Sequence, residues 1–236
     1  GIPDQIVLHE DGQLKARRRQ TQLPVSPPEP TATYWIRKFY TELDSVPISH
    51  TLHHQSHAAA GCFTSGFDDC AIMTIDAIGE YQTATIYRYE ERGSKFELVH
   101  ETNFPNSLGL FYSAVTAKVG LKPMEDEYVL MGMAAYGQPV YADRMREQLF
   151  KHSTIDNDNR GECLHTVDMS KGLPGSFLPM NLDMAGMEQV KYDLAASAQL
   201  VCEERIMEYA ELAYRYTRSK NIVFMGGCAL NCVANS

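Results

Sequence analysis

Cys70-Ala71-Ile72-Met73-Thr74-Ile75-Asp76-Ala77-Ile78-Gly79-Glu80 is the stretch on which the fold turns. Cys70 to Ile75 is a short apolar run of the kind that forms a buried strand, and it stops at Asp76. Asp76 to Gly79 then supplies a bend, since Asp at turns accepts local backbone hydrogen bonds. An alternating strand from Thr83 to Tyr89, a turn at Glu91 to Ser94 and a second alternating strand with Phe96, Leu98 and His100 on one face follow. This order predicts three adjacent antiparallel strands with an Asp and a Gly at the first bend.

Upstream of the bend, His53-His54-Gln55-Ser56-His57-Ala58-Ala59-Ala60 gathers three histidines beside an Ala run that favours helix. At helical spacing His53 and His57 share a face and could reach one divalent metal, whereas His54 points about 100° away. His54 is open to a role as base, as support behind the pair, or as a surface residue. No Glu follows the first His, so the zinc-protease pattern is absent. Two ligands make a weak site, and a third, a carboxylate, is expected from elsewhere. Pro47 to Leu52 reads as a short strand leading into this helix. Further upstream, Gln5 to His9 suits an edge strand and Asp11-Gly12 a turn. Pro24 to Pro30 is an extended connector, and Tyr34 to Leu43 a short helix with Thr33 as N-cap.

Downstream, Ser107 N-caps a helix to Val119, closed by Gly120. Tyr128 to Tyr136 is small and apolar around Gly132. Residues 152 to 185 are expected to be mostly irregular, with one short strand near His165 to Val167. Apolar residues from Met187 to Ala213 step at helical spacing, which predicts a long amphipathic helix from Gly186 to about Ser219. Ile222 to Met225 is expected as a buried strand, followed by Gly226-Gly227 and a helix starting at Cys228. Such a strand, glycine pair and helix start is a possible anion site, although a tight turn has the same signature. A chain stopping inside that helix is expected to be a fragment.

Composition narrows the function. A net charge of -9 and a single basic cluster at Arg17-Arg18-Arg19 argue against a nucleic-acid footprint. No apolar run is long enough to span a membrane and no signal peptide is visible at the start, which suggests a cytoplasmic protein. The six cysteines form no CxxC pair or disulfide framework and are expected to be reduced.

The order strand, bend, strand, strand, helix, later followed by helix, strand, Gly-Gly and helix, is that of one lobe of an actin-like phosphotransferase (ASKHA) fold. The expected class is therefore α/β, with a mixed sheet, an antiparallel three-strand meander and flanking helices. Residues 1–45 are expected as an N-terminal segment and connector belonging to an incomplete first lobe. Residues 46–236 are expected as one lobe truncated at its C-terminus.

HHQSHAAA (53–60), TIDAIGE (74–80), NSLGLFYSAVTAKVGL (106–121), EYVLMGMAAYGQP (127–139) and GGCALNCVANS (226–236) together resemble the O-carbamoyltransferases of the nodulation and antibiotic-biosynthesis type. The tRNA threonylcarbamoyl-adenosine modification enzyme and the hydrogenase-maturation carbamoyltransferase share the HxxxH and Gly-Gly-x-x-x-Asn elements. The resemblance implies that His53 and His57 are ligands of a divalent metal, iron foremost, with zinc or magnesium as alternatives. It also implies that Asp76 and Gly79 hold a carbamoyl-adenylate, and that Gly132, Gly226, Gly227 and Asn231 line the nucleotide. The implied chemistry forms the carbamoyl-adenylate from carbamoyl phosphate and ATP and passes its carbamoyl group to a hydroxyl of a small-molecule acceptor.

The chain departs from the family pattern in several places. Ala77 stands where the family usually has Gly. The family's Asp metal ligand would fall beyond Ser236. The first-lobe phosphate hairpin and the adenylate-forming domain have no counterpart, so other domains of a parent chain are implied and the fragment alone is expected to be inactive. Competing readings are an actin-like sugar or acid kinase, the tRNA-modifying relative, and a non-catalytic assembly module.

Overall fold

A computed structural model describes residues 1–22, 31–93, 95–154, 163–173 and 187–236. Its centre is a mixed sheet in the order β5 (Lys95–Asn103), β4 (Gln82–Glu90), β3 (Asp69–Ile75), β8 (Ile222–Met225). The β3, β4 and β5 strands form the expected antiparallel meander, and β8 joins β3 in parallel. The fold is thus mixed α/β with flanking helices.

β3 is buried on both sides because each face is covered by helix. Ala71, Met73 and Ile75 face one cluster together with α4 (Leu108–Lys118) and the 30-residue α7 (Glu188–Thr217). Cys70 and Ile72 face the other, with Ala58 and Cys62 of α3 (His53–Ser65) and Tyr87 of β4. Phe111 and Leu194 are fully enclosed in the larger cluster, where each apolar side chain contributes about 1.5–3 kcal/mol by leaving water. Ser107 caps α4 as expected, accepting from Leu110 N at 3.0 Å.

Several local expectations change. Phe96, Leu98 and His100 do not share a face, because a bulge in β5 pairs Leu98 with Tyr87 but His100 with Ile86, so the side-chain alternation resets. His100 accordingly turns to α7 and packs near Tyr209 and Tyr216. β8 is half-exposed rather than buried, since no strand flanks its outer side among the described residues. The element after Gly226 is a single 3-10 turn, Gly227–Leu230, where a helix was expected. Gly12 starts a helix, α1 (Gly12–Gln22), where a turn was expected. The next helix, α2 (Ala32–Phe39), is capped by Thr31 rather than Thr33 and is followed by a 3-10 turn at Thr41–Leu43.

α5 (Glu127–Met133) and a 3-10 turn, Ala134–Tyr136, cover the small apolar stretch, and α6 (Ala142–Leu149) follows. β6 (Phe150–Thr154) pairs with β7 (Cys163–Val167), which contains the short strand expected near His165. The proline-rich connector at 24–30 and much of the irregular 152–185 segment lie outside the described residues. β1 (Ile6–Leu8) pairs in parallel with β2 (Ile48–His50), so the chain on either side of the expected boundary at 45/46 is hydrogen-bonded together.

Candidate metal and transfer site

Directly after β3, Asp76 N–H donates to Thr83 O at 2.9 Å, while Gly79 N–H donates to Gln82 O at 2.8 Å. These bonds close the bend and aim the Asp76 side chain at the first two turns of α3. There Oδ2 of Asp76 lies 3.1 Å from Nε2 of His53 and 3.2 Å from Nε2 of His57. The two Nε2 atoms are 3.2 Å apart. Ligands about 2.1 Å from one tetrahedral or octahedral ion stand about 3.0–3.4 Å from one another, so this triangle fits a divalent cation with two imidazoles and one carboxylate. Asp76 thus offers a carboxylate to the histidine pair from within the chain, beside the family's Asp expected beyond Ser236.

Burial alone would raise the Asp76 carboxyl. Hydrogen bonds from His53 and His57, the charge of His53 and the N–H of Gly227 outweigh it and hold the group well below the usual carboxylate range. Its hydrogen bond to Asp76 raises His53 against the opposing effect of burial. His54 faces inward, fully buried, with Nδ1 3.3 Å from Thr85 Oγ1. Burial lowers it to about 4, so it is a neutral core residue supporting the pair from behind and has no access to a substrate.

The other oxygen of Asp76 links this triangle to the glycine pair. Oδ1 accepts from Gly227 N at 3.1 Å and from Ala77 N at 3.2 Å. Gly226 permits the approach: its φ is +89°, and a Cβ there would meet Ile75 O at 2.4 Å. Asn231 is spent on α7, where its amide and that of Gln199 exchange hydrogen bonds of 2.9 and 3.0 Å. Tyr112 donates to the same Gln199 at 2.8 Å. Gly79 packs closely against the histidines, where a Cβ would come within 3.0 Å of His54 and 3.1 Å of His53.

Asp76, Ala77, Gly227 and Asn231 border a cavity of about 350 Å³. Its remaining wall includes Tyr112, Met124, Tyr128, Met131, Cys202 and Leu230. That volume and mainly apolar lining suit a small-molecule site. Gly132 is not on this wall, although its neighbour Met131 is. Burial pushes the Cys202 thiol up to about 12 and Cys228 well above its ordinary range, so neither is poised as a nucleophile. Sequence reasoning missed Tyr112 and Cys202, whose helical apolar spacing marks them equally well as core.

Residues 29–236 match the family model described as carbamoyltransferase N-terminus. The chain is 34% identical over 205 residues to an uncharacterised protein of Synechocystis, covering 81% of this chain and 32% of that one. It is 32% identical to nodulation protein NolNO of Sinorhizobium fredii over 84% of this chain and 28% of that one. Nodulation protein NolO of Bradyrhizobium diazoefficiens is 30% identical over 78% of this chain and 32% of that one. The chain therefore spans about a third of the length of the curated relatives it matches. With the match running through the histidine helix, the Asp76 bend and the glycine pair, the chain belongs to the carbamoyltransferase N-terminus family.

Proposed function

We propose that this chain forms part of an O-carbamoyltransferase, which transfers a carbamoyl group from a carbamoyl-adenylate, made from carbamoyl phosphate and ATP, to a hydroxyl of a small-molecule acceptor. The observation that carries the reading is the convergence of His53, His57 and Asp76 at the edge of the cavity, on a carboxylate that also binds the glycine pair. His53, His57 and Asp76 would hold a divalent cation, iron foremost, with zinc or magnesium as alternatives. Such an ion supplies electrophilic polarisation of a carbonyl or phosphate oxygen and stabilises charge as it develops.

The protein's own groups set the geometry. Gly227 and Ala77 hold Asp76 from one side, which leaves Oδ2 for the cation and keeps the carboxylate from rotating. Tyr112, Met124 and Met131 give the cavity an apolar wall against which a small-molecule acceptor would pack. Gly227 and Asn231 border the same space and are the residues we assign to the nucleotide, Asn231 as a wall residue, since its amide is held by Gln199. Gly79 and Gly226 act through backbone approach to the histidines and to β3.

We read the sheet as part of an actin-like lobe, with 46–236 as its body and 1–45 as a segment of the first lobe, completed by other domains of the natural chain. No helix among the described residues is long and apolar enough to cross a membrane. Cys62, Cys70, Cys202, Cys228 and Cys232 are free, which supports a cytoplasmic setting.

Metal analysis and turnover of carbamoyl phosphate with ATP by the full-length protein test the reading. The native protein should retain a divalent metal and make a carbamoylated product, and His53→Ala and His57→Ala should lose both. Phosphorylated product without carbamoylation, unaffected by either substitution, would replace it with the kinase reading.

A further inference from the structure

We propose that Glu10 is a positioning residue of the metal triad: its carboxylate accepts a hydrogen bond from Nδ1–H of His53 when Nε2 of that ring is given to the cation. The inference rests on the metal reading above and extends it to a residue outside the 29–236 stretch that the family model matches.

The placement follows from strand pairing. Parallel register sets Leu8 beside His50, and Thr51 N–H donates to Leu8 O at 2.9 Å. Continuing past Leu8, the chain runs alongside the start of α3, where Ser56 Oγ donates to His9 O at 3.1 Å. Glu10 then faces the back of His53, with Oε2 3.9 Å from Nδ1.

That Nδ1 is buried and has no hydrogen-bond partner among the described residues. An imidazole that gives Nε2 to a metal carries its proton on Nδ1, and a buried N–H without an acceptor costs about 1–3 kcal/mol. Closing the gap to Glu10 by about 1 Å makes the bond. Histidines that bind metal commonly donate their second N–H to such a carboxylate, which fixes tautomer and ring orientation.

Another occupant must be weighed at this place. Ligand atoms of His9, Glu10 and His53 lie within 4.8 Å of one another, so a second cation could sit there with His53 as a bridge. Lys15 argues against it, because its ammonium binds both oxygens of Glu10 at 2.9 Å and sets a positive charge beside them. A carboxylate held by a lysine on one side and offered to an N–H on the other matches the positioning role.

Cobalt(II) titration of the full-length protein, read by the visible absorption band and by stoichiometry, tests this. The native protein should bind one cobalt per chain at this site. The Glu10→Gln variant should bind it about 10- to 100-fold more weakly, with a shifted band, because the His53 ring is no longer held. Glu10→Asp, which keeps the charge, should recover part of the affinity. Unchanged affinity and band in Glu10→Gln, with His57→Ala still abolishing binding, would overturn the role of Glu10 and leave the metal reading standing. No cobalt binding by the native protein, or binding indifferent to His57→Ala, would remove both. Two cobalt ions per chain, one lost in Glu10→Gln, would replace the positioning role with a bridged pair. Should Glu10→Gln depart from the native circular dichroism, Lys15→Met decides: it frees Glu10 for His53 and should tighten cobalt binding, and an unchanged or weaker affinity overturns the proposal.

Discussion

The backbone N–H of Gly227 donates to Oδ1 of Asp76 over 3.1 Å, joining the end of β8 to the end of β3. Oδ2 of the same carboxylate faces His53 and His57. The two oxygens therefore have separable work, and Asp76→Asn separates them. Its carbonyl oxygen can keep the Gly227 and Ala77 bonds while its NH₂ takes the place of Oδ2 and cannot bind a cation. Divalent-metal affinity measured by calorimetry should fall by roughly 100-fold or more, since a ligand is lost outright and loss of a supporting group alone costs about 10- to 100-fold. Far-ultraviolet circular dichroism should be unchanged. Native metal affinity in this variant would show that the triangle is not a cation site.

Gly226 and Gly132 should respond to alanine with opposite signs. At Gly226 the new Cβ would collide with Ile75 O. With φ +89° and ψ 176° the residue lies in an extended, positive-φ region essentially reserved for glycine, which alone costs about 1–3 kcal/mol for alanine, and the collision adds to it. Gly132 has open space around it near the end of α5, where alanine is the better helix former by about 0.5–1 kcal/mol. Urea unfolding should therefore show Gly226→Ala destabilised by more than about 2 kcal/mol and Gly132→Ala unchanged or slightly more stable. A large loss in Gly132→Ala would mean that this glycine faces a neighbour.

The meander, the caps of α4 and the long helix were legible because strong periodicity and turn chemistry agreed along the chain. The histidine pair was equally legible from its four-residue spacing. Asp76 was read as a bend carboxylate that the resemblance assigns to the carbamoyl-adenylate, but its closeness to those histidines depends on how α3 lies across β3, which no local pattern encodes. The bulge in β5 was invisible for a related reason: Phe96, Leu98 and His100 keep perfect alternation in the sequence, and only pairing with β4 shows where it slips. α1 was missed because its charged residues left no apolar stripe to follow. The HxxxH element thus marked the two imidazoles, and tertiary packing brought a carboxylate beside them.

His100 should make the fold acid-sensitive. Burial against α7 lowers it to about 4 from an ordinary value near 6.5. Between those values the unfolded chain binds a proton that the folded one refuses, so stability is fully present above pH 6.5 and is lost as pH falls toward 4. The share lost between pH 7 and pH 4.5 is on the order of 2–3 kcal/mol. His100→Phe keeps a ring near Tyr209 and Tyr216 and removes the proton site. The difference between native and variant unfolding free energies should therefore shift by about that amount in the variant's favour between the two pH values. Parallel pH profiles would place His100 in contact with water.

Glu80 should prove to be the clamp that sets the histidine helix on the hairpin. Its residue is 3% exposed, and its carboxylate accepts from His53 N at 3.1 Å through both oxygens and from Asp11 N at 2.7 Å. Leu52, at the N-cap position of α3, has no side chain able to satisfy that first N–H, so the cap comes from across the bend. A carboxylate there also complements the positive end of the helix dipole. Arg18 reinforces the junction by donating to Glu80 O at 2.9 Å and to Gly79 O. Glu80→Ala would leave two donors without an acceptor, at about 1–3 kcal/mol each when they remain buried, and would loosen residues 6–18 from α3. Hydrogen exchange should rise together at Asp11 and His53, and the unfolding midpoint should fall. Because His53 sits at the capped position, metal affinity should weaken in the same variant even though Glu80 touches no ligand atom of the triad. Glu80→Gln, which retains one acceptor oxygen, should lose less of each, and equal losses in the two variants would show that charge rather than capping holds the helix.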